Sequence, residues 1–460
     1  MPGVTQNIHE LTPTQEAMLL YSMYAPKSAA YFEQFCYAFR GALDVPAFKL
    51  AWQTVIDRHR ILRTAFSWND ETGPQQTLRD NVELPFTFHD WRHVAASEHK
   101  DQLQKFLESD RACSFDVSKA PLVRVAVLQT AEDAFHIVVS NHHLVLDGWS
   151  MGIVRREVSL IYQALTRGEQ IELPATPAFS DYVTWLNAQE GEGSKSFWRN
   201  ELAGFNSSNS LPIDNAPRML PAPDETFDER VIDLPEALST RLQAAARKHR
   251  LTMSTIAQGA WALLLSRYCR SDDVMFGITV SGRPFDYPEI DSLVGLLIGT
   301  LPLRVCVPQN EPLSAWLQQM QKAAFKLREH ETTSLNQIHE WSEVPRGAPL
   351  FETIVVFENF AGHDLPLDLG GAIEISESHL ARTNYPLTLV VNQQPQLSLR
   401  VVYHRSRFAA DAIARMLNHC VTILESFAND LDRPVSAVSL LSEAEKQTLL
   451  HEWSLSLIHI

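Results

Sequence analysis

The segment S-N-H-H-L-V-L-D-G-W-S, residues 140–150, contains the residue types of this chain that are best suited to chemistry. Its adjacent histidines, His142 and His143, precede Asp147 and Gly148. A histidine serves as a general base near neutral pH when its tautomer and orientation are fixed. An aspartate in this position also suits a buried salt bridge that anchors a loop. The residues alone support a catalytic and a structural role equally.

The flanking elements decide how these side chains point. A strand-like run, A-F-H-I-V-V, precedes the histidines, and an amphipathic helical pattern, S-M-G-I-V-R-R-E-V-S-L-I-Y-Q-A-L, follows them. Because successive side chains of a strand point to opposite faces, a strand that continues through both histidines presents only one of them to a cavity. Adjacent strand histidines converge poorly on one ion, and the sequence has no H-E-x-x-H or Cys/His cluster. We therefore predict no metal site.

The composition indicates a soluble globular protein, since 45% of the 460 residues are hydrophobic and 20% are charged. A formal net charge of −16 disfavours a nucleic-acid partner. The five scattered cysteines predict reduced thiols and a cytoplasmic location. The sequence shows no signal-peptide pattern and no window of eighteen uninterrupted apolar residues, so we expect no membrane span.

Helical and strand patterns alternate along both halves of the chain, which predicts two α/β lobes. Residues 204–227 are rich in Pro, Ser, Asn and Asp, a composition typical of an exposed linker. We predict the following division: a first lobe at 1–178, a crossover and linker at 179–227, a second lobe at 228–445, and at 446–460 the start of a linker to a further domain or a sequence end.

The segment H-H-L-V-L-D-G resembles the HHxxxDG motif of the condensation domains of nonribosomal peptide synthetases, a superfamily that includes chloramphenicol acetyltransferase. Other segments resemble further motifs of this family in the same order: L-T-P-T-Q-E-A-M-L-L-Y-S, D-R-H-R-I-L-R-T-A-F, D-D-V-M-F-G-I-T-V-S-G-R-P and V-G-L-L-I-G-T-L-P-L-R-V. The resemblance extends from about Leu11 to Trp453. It implies two chloramphenicol-acetyltransferase-like α/β lobes that form a V around a central active-site tunnel.

The resemblance also implies an activity, the formation of a peptide bond between two carrier-bound thioesters. It places His143 at the reaction centre, as a general base or as a positioner of the acceptor amine. His142 belongs to the same catalytic motif, with a structural position behind the loop. The backbone N–H of Gly148 is implied to lie near the developing oxyanion.

The remaining site residues of the resemblance support these groups. It pairs Asp147 with an arginine, for which Arg283 is the first candidate and Arg63 the second. A second set is implied to lie near the tunnel or the interface between the lobes, with plain packing or salt bridging an equally good interpretation for several of them: Trp149, Ser150, Gln15, Arg58, Asn384 and Tyr385.

The resemblance implies no directly bound cofactor, because phosphopantetheine thioesters arrive on an upstream donor and a downstream acceptor carrier protein. The C-terminal L-L-S-E-A-E-K-Q-T-L-L-H-E-W-S is similar to a linker into an adenylation domain. The wording T-P-T-Q-E-A-M-L favours the subtype that accepts a D-configured donor after an epimerisation domain. Three alternatives stay open: an epimerisation domain, a stand-alone acyltransferase and a non-catalytic scaffold.

Overall fold

The computed structural model describes residues 8–26, 30–69, 71, 73–189, 192–215, 227–358, 367–393 and 396–456. Within them the strands, β1 to β14, are Ile8–His9, Phe32–Arg40, Thr64–Asn69, Gly73–Leu78, Phe86–Asp90, Val123–Ala131, Ala134–His142, Phe227–Asp233, Asp273–Val280, Gly299–Cys306, Thr353–Glu358, Ile373–Ala381, Leu387–Asn392 and Ser398–His404. The α-helices, α1 to α12, are Pro13–Tyr24, Val45–Arg58, His99–Ala112, Gly148–Arg167, Phe179–Asn187, Glu192–Glu201, Glu236–His249, Met253–Cys269, Leu313–Leu327, Leu335–Trp341, Ala410–Asn429 and Glu443–Ser456.

Helix α1 begins with a capping box formed by Thr12 and Gln15. The Thr12 hydroxyl accepts a hydrogen bond from the Gln15 main-chain N–H at 3.2 Å, and the Gln15 side chain accepts one from the Thr12 N–H at 3.0 Å. Pro13 occupies the first turn, where a missing N–H costs nothing. This reciprocal capping box satisfies two of the donors that every helix start leaves open.

The first sheet has the strand order β12-β2-β7-β6-β5. Strand β2 is almost entirely buried, because it pairs antiparallel with β7 on one side and with β12 on the other. Helices α2 and α4 contact each other in the same part of the molecule. Apolar side chains of β2, α2, β7 and α4 form one core with residues 290–297. The C-terminal half of the chain therefore contributes a strand and a loop to the N-terminal half.

The second sheet has the order β10-β9-β11-β13-β14-β8 and is mixed, since β11 runs parallel to both β9 and β13. Helix α8 is buried on all sides along most of its length and lies in the core between this sheet and its neighbouring helices. Gly259 in α8 lets Leu317 of α9 approach, since a Cβ there would lie 2.1 Å from the Leu317 Cδ2. This second core stabilises β9 and β10, which bound the candidate site.

Residues 204–215 of the predicted exposed linker contain two buried residues. Phe205 and Leu211 are buried in the second core, and Asp214 forms a salt bridge with Arg407. The polar composition of this segment gave no indication that these two apolar residues are buried. Residues 216–226 of the predicted linker, and 457–460 of the C-terminal segment, lie outside the described residues.

The division of the chain at 178, 227 and 445 stays a prediction. Among the described residues, no helix combines the length and apolar character that crossing a bilayer requires.

Candidate active site

The two histidines lie where β7 ends. His142 is the last residue of the strand, and His143 follows it in a turn. The His143 N–H donates to the Tyr31 carbonyl at 2.8 Å, which ties this turn to the start of β2. The strand ends at His142. Alternation along one strand is therefore the wrong reason for the separation of the two histidines. The turn, and not the pleat of the strand, sends the two imidazoles to different surroundings.

His142 points into the protein and is buried. Its Nδ1 accepts from the Leu144 N–H at 3.2 Å, so the neutral ring carries its proton on Nε2, 3.2 Å from the Ser22 hydroxyl oxygen. Ser22 in turn donates to the Met18 carbonyl at 2.7 Å. Burial lowers the pKa of His142 to about 3, and the neighbouring His143 adds to the shift. His142 is therefore neutral at pH 7.

His143 points into a cavity, and 17% of its side chain is exposed. Its Nδ1 lies 2.6 Å from the Leu146 carbonyl oxygen, which can only accept. The ring therefore donates from Nδ1, and the neutral form keeps a lone pair on Nε2. A fixed tautomer with a lone pair in a cavity is the arrangement that a base or a hydrogen-bond acceptor requires.

Asp147 caps helix α4, and both of its carboxylate oxygens are used. One oxygen accepts from the Ser150 N–H at 2.7 Å. The other accepts from the main-chain N–H groups of Leu297 and Ile298 at 3.0 and 3.3 Å. The carboxylate is buried, so these bonds connect the histidine loop to residues 295–298 without solvent competition.

Arg283 is the arginine beside Asp147, with 3.5 Å between Nη2 and the carboxylate oxygen that also caps the helix. Its guanidinium also donates to the carbonyls of Ile290 and Leu293 at 2.5 and 3.0 Å. Burial lowers the pKa of Arg283, and the charge of Asp147 opposes that shift. The other candidate, Arg63, donates instead to the Arg79 carbonyl at 3.0 Å, because the short helix before β3 directs it towards β4.

Glycine is required where two loops meet behind Asp147. Gly282 has a φ of +60°, and a Cβ there would lie 1.7 Å from the Leu297 carbonyl oxygen. A Cβ on Gly295 would lie 2.1 Å from the Phe179 ring. Gly282 therefore permits the close approach of the Arg283 loop to the loop that binds Asp147, and Gly295 makes room for the Phe179 ring.

The cavity has a volume of about 300 Å³ and lies between the two sheets. Strands β2 and β12 of the first sheet and β9, β10, β11 and β13 of the second contribute to its wall. His143 and Gly148 lie on this wall, with Gly148 as the first residue of α4. The N–H groups of a helix start carry partial positive charge, so an anion that forms beside His143 would be stabilised there.

Residues 5–450 of the chain match the family model described as "Condensation domain". The chain belongs to the condensation-domain family. One of the linear gramicidin synthase proteins of Brevibacillus parabrevis is 38% identical over 449 residues, which are 98% of this chain and 9% of the synthase protein. Bacitracin synthase 3 of Bacillus licheniformis is 29% identical over 454 residues, 98% of this chain and 7% of that protein. The condensation domain thus spans less than a tenth of either relative.

Solved structures of the family have the same fold. The first condensation domain of the calcium-dependent antibiotic synthetase, with a substrate analogue bound, is 18% identical and aligns with a TM-score of 0.78 over 95% of this chain and 100% of that one. A four-domain nonribosomal peptide synthetase bound to AMP and glycine is 19% identical, with a TM-score of 0.81 over 95% of this chain and 34% of that one. These matches confirm the predicted α/β, chloramphenicol-acetyltransferase-like fold class. Condensation domains of such synthetases are amide-bond-forming acyltransferases, and the chain is an enzyme of this class.

The cavity wall contains some of the residues predicted near the tunnel and not others. Asn384 and Tyr385 line it. Gln15 lies behind it, because its side chain caps α1 and donates to the Leu144 carbonyl at 3.0 Å. Ser150 is fully buried against Gly295.

Two further predicted residues have surface or loop contacts. The Trp149 indole donates to the Asp291 carbonyl at 3.0 Å. Arg58 forms a salt bridge with Glu157 at 3.2 Å, which is the plain ion pair that the sequence left open. Within the described residues, the cavity lining of the condensation domain includes neither Trp149 nor Arg58.

The sequence reasoning missed Glu33 and His379. Glu33 Oε1 lies 3.8 Å from the Nε2 atoms of both His143 and His379. The segment Y-F-E-Q resembles a stretch of some family subtypes, but a single sequence offers no reason to connect it with His143. In the described part of the chain, no three His, Cys, Asp or Glu side chains converge as metal ligands would.

Proposed function

We propose that this condensation domain joins two thioesters carried by different carrier proteins. The α-amine of an acceptor aminoacyl thioester attacks the carbonyl carbon of a donor acyl or peptidyl thioester. The C–N bond forms, the C–S bond breaks, and one proton moves from the amine nitrogen to the departing sulfur. The product is an amide, one residue longer than the donor and held on the acceptor carrier.

One observation carries this proposal: the His143 lone pair on Nε2 points into a cavity that both sheets line, while Nδ1 donates to the Leu146 carbonyl. In that tautomer His143 accepts a hydrogen bond from the attacking amine and takes its proton as the C–N bond forms. A thioester is already activated, so alignment of the amine supplies a large part of the rate. Gly148 at the start of α4 supplies an N–H for the oxyanion.

In this proposal Asp147 acts through the residues that it holds in place. Its carboxylate holds the start of α4 against residues 297 and 298, and Arg283 holds the carboxylate. These contacts fix the separation between His143 and Gly148. Asp147 and Arg283 are therefore positioning residues, and His142 supports the loop from behind through Leu144.

The substrates and partners of the parent protein are also part of the proposal. The thioesters arrive on phosphopantetheine arms of an upstream donor and a downstream acceptor carrier protein, and an adenylation domain follows in the parent synthetase. The wording of the first motif supports a donor that ends in a D-residue. The cytoplasmic location stays a prediction from the cysteines, all five of which are free.

A single-turnover assay tests the proposal. The chain of 460 residues is mixed with a donor carrier loaded with a D- or an L-configured acyl group and an aminoacyl acceptor carrier, and the amide is followed by mass spectrometry. We expect amide formation, faster with the D-donor, and a loss of ~10²–10⁴-fold in rate for His143→Ala. The matched control is His93→Ala, on an exposed histidine, and it should keep the full rate.

Three outcomes contradict the proposal. Full activity of His143→Ala would show that His143 is not needed for condensation. Exchange of the donor α-proton in deuterated water without amide formation identifies an epimerisation domain. Equal transfer from a small soluble acyl thioester that has no carrier identifies a stand-alone acyltransferase.

A further inference from the structure

Glu33 is a buried carboxylate on the wall of the active-site cavity. It lies in β2, an inner strand of the first sheet. Its backbone is opposite Asn141 of β7 on one side and Ala381 of β12 on the other. Because both neighbours hold the strand, the position of the Glu33 side chain is set by the sheet and not by a mobile loop.

The two oxygens of Glu33 have different surroundings. Oε2 accepts a hydrogen bond from the buried Asn141 amide at 3.2 Å. Oε1 lies 3.8 Å from His143 Nε2 and 3.8 Å from His379 Nε2. A separation of 3.8 Å exceeds a hydrogen bond, which measures about 2.7–3.2 Å between a nitrogen and an oxygen. One nitrogen can therefore lie about 2.9 Å from both Oε1 and His143 Nε2, at the apex of a triangle with those two atoms.

The charged groups beside Glu33 also differ from those beside the other carboxylates in the described lining. Glu358 lies 3.6 Å from an Arg400 guanidinium nitrogen, and Glu331 lies 3.8 Å from one of Arg328. The ion-pair contacts of Glu33 are with imidazoles, which are charged only when protonated. A buried carboxylate gains most from a cation that also donates hydrogen bonds. Glu33 is therefore the cavity carboxylate best placed to receive one.

We propose that Glu33 binds the α-ammonium group of the acceptor beside His143. This inference rests on the proposed function, which requires an amine at His143 Nε2. The ammonium donates one hydrogen to Glu33 Oε1 and another to the Nε2 lone pair of His143. Glu33 is then a substrate-binding residue, which distinguishes the amine-bearing acceptor from the donor.

The proton balance follows from this arrangement. An ammonium nitrogen has no lone pair, so it loses one proton before it attacks. Glu33 accepts that proton and returns it to water. As the C–N bond forms and the C–S bond breaks, His143 Nε2 takes a second proton from nitrogen and passes it to the sulfur. The third hydrogen stays on the amide, and the carboxylate stabilises the imidazolium while it exists.

A binding experiment without any donor tests the inference. Glycyl-pantetheine and acetyl-pantetheine are prepared as hydrolysis-resistant amide isosteres, which differ only in the amine. Their affinities for the unmodified chain and for Glu33→Gln are compared by protein-observed NMR titration. A charge-assisted hydrogen bond predicts a preference of ~10–100-fold for the glycyl probe in the unmodified chain. In Glu33→Gln this preference should fall below about two-fold.

Controls separate charge from structure. Gln keeps an oxygen that can accept from Asn141, and Glu33→Asp keeps the charge, so Asp should restore part of the preference. Glu331→Gln makes the same substitution on a cavity carboxylate beside Arg328, and it should leave the preference unchanged. Urea unfolding of each variant verifies that it is folded.

The inference and the proposed function fail in different ways. A preference below two-fold in the unmodified chain, or one retained by Glu33→Gln, overturns the role of Glu33 even if condensation proceeds. The role of Glu33 is supported if the preference for the glycyl probe is lost in Glu33→Gln and kept in His143→Ala. In the condensation assay, Glu33→Gln should raise the half-saturating acceptor concentration about ten-fold and leave that of the donor unchanged. A chain that binds the amine but forms no amide overturns the proposed function alone.

Discussion

The two sides of the loop at residues 142–150 differ in what their polar atoms contact. On the buried side, His142 and Asp147 have every ring nitrogen or carboxylate oxygen within reach of a protein partner. On the cavity side, His143 uses one nitrogen to fix its orientation and keeps a lone pair for substrate. Within one motif, His142 and Asp147 thus stabilise the loop, and His143 is available to bind substrate.

The difference shows how a fold separates stability from reactivity. Each buried polar group needs a partner, and a partner lost from a buried site costs more than the bond itself contributes. A reactive group needs the reverse, an atom with spare capacity in an accessible cavity. We therefore expect mutations on the buried side to affect mainly stability, and mutations on the cavity side to affect mainly rate and substrate binding.

The strongest way to break this comparison is Asp147→Ala. The substitution leaves Arg283 buried beside an apolar side chain and removes the cap of α4, so we expect the free energy of unfolding to fall by about 3–5 kcal/mol. Urea unfolding at pH 7 measures the change. Arg63→Ala is the control, because the sequence offered Arg63 as the second partner, and its loss should cost less than about 0.5 kcal/mol. A larger loss from Arg63→Ala than from Asp147→Ala would reverse our assignment.

A pH series on His142 gives the next largest effect. Its pKa of about 3 in the folded chain is below the unfolded value of about 6.5, so the unfolded state binds more protons between these pH values. Stability is therefore full above pH about 6.5 and falls as the pH drops towards about 3. From pH 7 to pH 5 the unmodified chain should lose about 2 kcal/mol more than His142→Asn.

Guanidinium unfolding at both pH values measures this difference. His93→Asn, on an exposed histidine, should follow the unmodified chain. A His142→Asn variant with the same pH dependence as the unmodified chain would mean that folding does not lower the pKa of His142.

The smallest expected effect belongs to Ser150, which the sequence placed near the tunnel. Its hydroxyl donates to the Gly295 carbonyl at 2.8 Å and accepts from the Gly295 N–H and from Arg283, both at 3.1 Å. Ser150→Ala leaves these buried groups unpaired and should cost about 1–2 kcal/mol in the free energy of unfolding. Acceptor affinity should not change.

Thermal unfolding and the acceptor titration together check this expectation. Ser180→Ala, whose hydroxyl contacts the neighbouring Asp181 at the surface, is the control, with an expected cost below about 0.5 kcal/mol. If Ser150→Ala weakened acceptor binding without any loss of stability, Ser150 would belong to the cavity side.

Much of the local structure could be predicted because it depends on neighbours in the chain. The cap at Thr12 and the alternating strand and helix patterns follow from spacing over a few residues. For the same reason, the composition of the predicted linker gave no sign of its two buried residues. Composition describes the average of a segment, and two apolar residues, Phe205 and Leu211, are enough to bury part of it in a core formed far away in sequence.

By itself, the sequence determined the alternation of helices and strands, the order of the motifs, their resemblance to condensation domains and the chemistry available to each side chain. Only the tertiary structure decided which groups meet. Asp147 reaches Leu297 across 150 positions, and Gln15 reaches Leu144 across 129. Glu33 meets His143 because two antiparallel strands pair, and the turn after β7 lets only the second histidine face the cavity. Such contacts depend on how whole sheets pack, so no local pattern in one chain can specify them.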